Sequence, residues 1–106
     1  MNGPPSLPGA CCRVQARGLA FRVFDQGSGT PLLLLHGFPD DLHIWDRVIP
    51  ALLQAGYRVI AFDQRGCGES AMPAGVAAYR LREIVDDIPA VLEARGINEP
   101  VLVMGH

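Results

Sequence analysis

The chain has 106 residues, 49% hydrophobic and 19% charged, with a formal net charge of −2. Such a composition suits one compact globular unit and leaves no basic stripe for nucleic acid, while apolar runs such as residues 32–35 fall far short of the ~18 residues a membrane span requires. Cys11, Cys12 and Cys67 cannot all pair, and adjacent cysteines bridge only with strain, so a reducing, cytoplasmic setting is expected.

Residues 1–18 open with Pro and Gly and lack the basic start and apolar core of a secretory signal, so they read as a flexible N-terminal tail. Residues 19–24 alternate apolar and polar side chains and run into Gln26-Gly27-Ser28-Gly29-Thr30-Pro31, which predicts an outer strand ending in a tight loop. Residues 32–35 are apolar without alternation, the pattern of a central parallel strand covered on both faces. Between 44 and 54, Trp45, Val48, Ile49, Leu52 and Leu53 recur at helical spacing, and Pro50 predicts a kink or a restarted first turn. Residues 57–62 predict another buried strand, and 63–73 a loop rich in Gly and polar residues.

Leu81, Ile84, Val85, Ile88, Val91 and Leu92 mark a second amphipathic helix, interrupted by Pro89. Gly96 and Pro100 close it, and residues 101–104 predict a third buried strand leading to Gly105-His106. Strand, helix, strand, helix, strand implies an α/β fold with a mostly parallel sheet. Ligands of such sheets bind beyond the carboxyl ends of the strands, which directs attention to the segments after Leu35, Phe62 and Met104.

Three motifs stand there in order: His36-Gly37-Phe38-Pro39, the loop Asp63-Gln64-Arg65-Gly66-Cys67-Gly68-Glu69-Ser70, and Gly105-His106. Together they resemble the α/β-hydrolase family over residues 19–106, which would then form a partial α/β-hydrolase domain, the N-terminal portion of its sheet. In that family the nucleophile follows a Gly-x pair on a sharp strand-to-helix turn. The resemblance therefore places it directly after His106, so the chain would be truncated before the nucleophile elbow and hold neither nucleophile, acid nor base. It implies that the Phe38 backbone N–H is one donor of the oxyanion hole, that His36, Gly37 and Pro39 support this loop, and that Trp45 stands where a substrate-binding residue could lie. Equally, Trp45 begins the apolar stripe of the first helix.

His36-Gly37-Phe38-Pro39 is similar to the His-Gly-x-Pro motif of epoxide hydrolases, whose nucleophile is an aspartate; esterases of the same fold use serine. The implied activity is cofactor-independent and metal-free hydrolysis of a small-molecule substrate, with neither nucleic acid nor membrane as partner. The alternatives are an esterase or a catalytically inactive truncated product with a non-enzymatic role. The pattern Pro39-Asp40-Asp41, Trp45, Asp63-x-Arg65-Gly66 and Tyr79-Arg80-Leu81 also looks like hydrolase modules fused to short-chain dehydrogenases. His36 and His106 read as loop supports rather than bases, Asp63 and Arg65 as residues that pin a turn, Ser70 as a turn cap and Cys67 as an incidental small residue. The strand ending at Met104 is expected to expose an apolar edge and make the chain poorly soluble.

Overall fold

The computed structural model describes residues 11–37 and 40–105. Alternation begins earlier than the tail expectation allowed. In β1 (Cys12–Ala16) Val14 and Ala16 are buried while Arg13 and Gln15 face out. Arg17 and Gly18, with φ of 52° and 75°, turn the chain into β2 (Leu19–Gln26). Paired positive φ values match the right-handed twist of the flanking strands, which makes this two-residue turn a hairpin former. Residues 12–16 thus belong to the sheet rather than to a tail. β2 is correspondingly an interior strand, not an outer one, because β1 covers one side of it and β4 the other.

The remaining strands are β3 (Pro31–Leu35), β4 (Arg58–Phe62) and β5 (Leu102–Gly105). The sheet order is β1-β2-β4-β3-β5. Its β4-β3-β5 part is parallel, and β1 and β2 join it antiparallel, giving a mixed sheet.

Side-chain alternation sorts the core onto two faces. Phe21, Val23, Leu33, Ile60 and Phe62 meet Val91 and Ile97 on one face, where α2 (Leu81–Ala94) packs. The Phe21 and Phe62 rings meet edge to face at 5.8 Å. Phe24, Leu32, Leu34, Val59 and Ala61 meet Leu42, Trp45 and Ile49 on the other. Each of the large side chains among them contributes about 1.5–3 kcal/mol when taken fully out of water.

The two prolines have different outcomes. Pro50 lies in the first turn of α1 (Ile49–Gln54), where its missing N–H costs no helix bond, and a separate 3₁₀ turn spans Leu42–Trp45. The restart expected near Pro50 is thus present, and the residues ahead of it form the separate 3₁₀ turn. Pro89 lies inside α2, which continues through it. The loop between β2 and β3 fits tightly on the turn after α1: any Cβ on Gly29 would overlap the Gly56 carbonyl.

Candidate active site

β3 and β4 end side by side, and His36, just past β3, locks onto Gln64, two residues past β4. His36 is 3% exposed. The Gln64 backbone N–H donates to His36 Nε2 at 3.0 Å, and the Gln64 side-chain amide donates to the His36 carbonyl at 2.5 Å. A backbone N–H can only donate, so Nε2 accepts and the ring proton sits on Nδ1. From there it reaches the Gly37 carbonyl at 2.9 Å. Both ring nitrogens are thereby engaged, and this histidine holds its loop instead of offering a free base.

Gly37 is also fixed from the far side, because the Asp40 N–H donates to the same carbonyl at 2.9 Å. Phe38 and Pro39, assigned from sequence to the oxyanion donor and the stiffened turn, lie outside the described residues, as does His106. Beyond them the Asp41 carboxylate accepts the His43 N–H at 2.9 Å and caps the 3₁₀ turn.

Asp63, the first residue after β4, is fully buried. Its carboxylate accepts the Leu42 N–H at 2.8 Å, the Glu69 N–H at 2.9 Å and Arg22 Nε at 2.7 Å. One charged side chain thus ties the segment after β3, its own loop and β2 together, with the charge-assisted bonds that are the stronger kind. Ser70 completes the joint: its hydroxyl donates to the Asp63 carbonyl at 2.5 Å and accepts the Arg22 N–H at 2.9 Å. Asp63 and Ser70 pin turns, as their sequence context suggested.

Arg65 turns elsewhere. It grips the buried Asp87 of α2 at 2.6 and 2.7 Å, and Arg17 joins the same carboxylate at 2.9 Å. Nothing in the sequence pattern points to Asp87, which stands among the charged residues of the polar side of a helix.

A cavity of about 320 Å³ opens at this end of the sheet, lined by His36, Gln64, Arg65, Cys67, Tyr79 and Ile84. Burial pushes the Cys67 thiol up, and the nearby Asp63 and Asp41 charges push it the same way, which disfavours a reactive thiolate. Trp45 is 6% exposed and packs in the core beside Phe24 and Ile49, away from this cavity. A larger, polar cleft of about 450 Å³ lies at the opposite end of the strands, around Asp25, Arg58 and Arg95. The strand carboxyl ends, where open α/β sheets bind ligands, favour the smaller cavity as the chemical one. Among the described residues no group of three or more His, Cys, Asp or Glu gathers to hold a metal ion, and no helix is long and apolar enough to cross a membrane.

The third strand completes the frame. β3 and β5 run parallel with Leu35 opposite Gly105, so the two strands end at the same level. Residues 30–106 match the family model for the alpha/beta hydrolase fold. The chain belongs to the α/β-hydrolase fold family. It is 47% identical over 78 residues to epoxide hydrolase B of Mycobacterium tuberculosis, a match covering 74% of this chain and 22% of that protein. It is 37% identical over 91 residues to a probable oxidoreductase, EphD, of the same organism, covering 84% of this chain and 15% of that one. An epoxide hydrolase from Vigna radiata superposes with a TM-score of 0.85 at 33% identity, over 91% of this chain and 31% of that structure. The chain therefore spans less than a third of each of these relatives, and its α/β-hydrolase fold is of the epoxide hydrolase-like type.

Proposed function

We propose that this segment supplies the oxyanion loop of an epoxide hydrolase-like α/β-hydrolase acting on a small epoxide without a cofactor. The observation that carries this reading is the register of Leu35 with Gly105. That register supports the reading because it ends β3 and β5 at one level, the His36-Gly37 loop following the first and the family's nucleophile turn being proposed to follow the second. In the proposed reaction an aspartate just beyond His106 attacks a ring carbon through a carboxylate oxygen. A C–O bond forms, the ring C–O bond breaks, and the ring oxygen takes a proton from an acid outside these 106 residues to become a hydroxyl. Water, giving its proton to a base likewise outside them, then adds to the acyl carbon of the ester so formed; negative charge develops on the carbonyl oxygen, and its collapse releases the diol and restores the aspartate. Preorganised backbone donors stabilise such charge without reorganisation, and that is the work proposed for the Phe38 N–H. In this reading His36, Gly37 and Pro39 shape its loop, while Trp45, the candidate substrate-binding residue, packs in the core beside Phe24 and Ile49.

The test is to read the coding sequence past His106 and assay the protein that includes it. An Asp next, followed two residues later by Gly, together with turnover of styrene oxide, is the expected result. A Ser there with turnover of nitrophenyl esters alone would make it an esterase, and neither residue would remove the proposed site altogether. In the active protein, Phe38→Pro deletes the donor N–H and should lower kcat by about 10²–10³.

A further inference from the structure

The cavity at the carboxyl ends of the strands has one wall with no assigned role. Tyr79 ends a second 3₁₀ turn, Val76–Tyr79, none of whose residues is buried. The turn is held all the same, because Arg65 Nη1 donates to the Ala78 carbonyl at 2.6 Å. Arg65 is itself gripped by the buried Asp87 carboxylate, so the residue before Tyr79 is anchored to α2. The Tyr79 ring in turn rests against the backbone of Gly66. A Cβ there would overlap ring atom Cε1 and come within 3.3 Å of Cζ and the hydroxyl oxygen, so the ring takes this place only because residue 66 has no side chain. Tyr79 remains 38% exposed, and both it and Gly66 line the cavity.

We infer that this cavity is the subsite for the apolar substituent of the epoxide, an aryl or compact alkyl group, and that Tyr79 is its specificity-determining residue; this rests on the proposed function above. The polar groups of the wall are spent on one another. The two His36 ring nitrogens engage the Gln64 N–H and the Gly37 carbonyl, and the Gln64 amide nitrogen engages the His36 carbonyl. All three Arg65 guanidinium nitrogens donate to Asp87 or to Ala78. What is left for a ligand is the Tyr79 ring, the Ile84 side chain and the Cys67 thiol, which burial and nearby carboxylates keep neutral. A charged substituent would give up water there without gaining a partner, whereas an aromatic one can pack on the tyrosine ring. The volume of about 320 Å³ lies at the small end of the roughly 300–1,000 Å³ typical of ligand pockets, which suits a single ring.

Toluene, a neutral ring without reactive groups, probes the cavity in the 106-residue chain. In nuclear magnetic resonance it should shift the Tyr79 ring and Ile84 methyl signals and leave those of Arg58 and Arg95, at the opposite end of the sheet, in place. Tyr79→Ala should weaken toluene binding about three- to tenfold, the worth of one aromatic pair, and Tyr79→Phe should match the wild type. Because no residue of that turn is buried, both variants keep the core. Absence of shifts, or shifts confined to Leu102, Val103 and Met104 on the exposed β5 edge, would overturn the inference. Toluene binding to this chain but not to the protein extended past His106 would also overturn it, since the cavity would then be a packing surface for the rest of the protein.

In the extended protein, Tyr79→Ala should raise KM for styrene oxide about three- to tenfold with kcat unchanged, the mark of lost uniform binding. The wider cavity should also raise kcat/KM for naphthyl-oxirane relative to styrene oxide by about tenfold. An unchanged ratio, or a fall in kcat alone for both epoxides, would make Tyr79 a structural residue only. Failure to find a nucleophile past His106 would remove the reaction and leave toluene binding intact, whereas loss of toluene binding would remove the subsite from a reaction that still stands.

Discussion

Gly68 shows how tightly a single position can be specified. Its φ is +52°, and a Cβ there would also overlap the Asp63 carboxylate, the buried acceptor of three hydrogen bonds. Gly18 has φ of +75° with open space around it. Gly18→Ala should therefore cost about 1 kcal/mol, the backbone penalty alone, and Gly68→Ala about 2–4 kcal/mol, because the carboxylate must also move. Urea unfolding of both variants checks this, and equal losses would mean that the Asp63 contact is immaterial. Asp25 gives a second case at this scale. Burial alone would raise its carboxyl, but hydrogen bonds from Arg58 and Arg95 outweigh it and hold the group below its ordinary value of 3.8. A depressed folded-state value means stability that is fully present above the unfolded value and is lost as pH falls through the folded one. Stability should thus drop on acidification below about pH 4, and Asp25→Asn should flatten that part of the curve. At neutral pH the same variant should cost about 1–2 kcal/mol, a figure reduced because Arg95 is one-third exposed.

At the scale of elements, α2 carries a proline that its packing tolerates. Pro89 is exposed, so it adds nothing to the core while removing the donor that would reach the Val85 carbonyl. Pro89→Ala should stabilise the chain by about 1–2 kcal/mol, the helix gain less the added freedom of the unfolded chain. A rise in Tm of several degrees is the corresponding readout, and a fall would mean that Pro89 packs against something its exposure conceals. The strands and α2 were legible in the sequence because hydrophobic periodicity reports which faces are buried. The hairpin partner β1 was missed although Cys12 to Ala16 alternate and Arg17-Gly18 is a turn signal, because the Pro- and Gly-rich start drew the whole segment into a tail. His36 could be singled out from its motif, but its ring contacts with Gly37 and Gln64 could not. Gln64 was not legible, since its hold on His36 depends on β3 and β4 ending together, and Asp87 was not, since only the folded chain brings Arg65 and Arg17 to it.

For the whole molecule, the decisive asymmetry is between the two ends of the sheet. β1 closes one edge with a short strand whose outward residues include Arg13 and Gln15. The other edge is β5, which among the described residues pairs only with β3 and leaves Leu102, Val103 and Met104 between 40% and 58% exposed. Leu81 and Val85 of α2 are exposed as well, at 75% and 50%. An open strand with free backbone groups and apolar side chains is a template for further pairing. The 106-residue chain in solution should therefore associate as its concentration rises, and sedimentation velocity should show this as a growing fraction of larger species. Val103→Lys places a charge on that edge and should reduce association without touching the buried core, since Val103 is the most exposed residue of the three. If the wild-type chain sediments as a monomer at all concentrations, the edge is protected by its own twist and short length, and its four residues are too few to nucleate pairing.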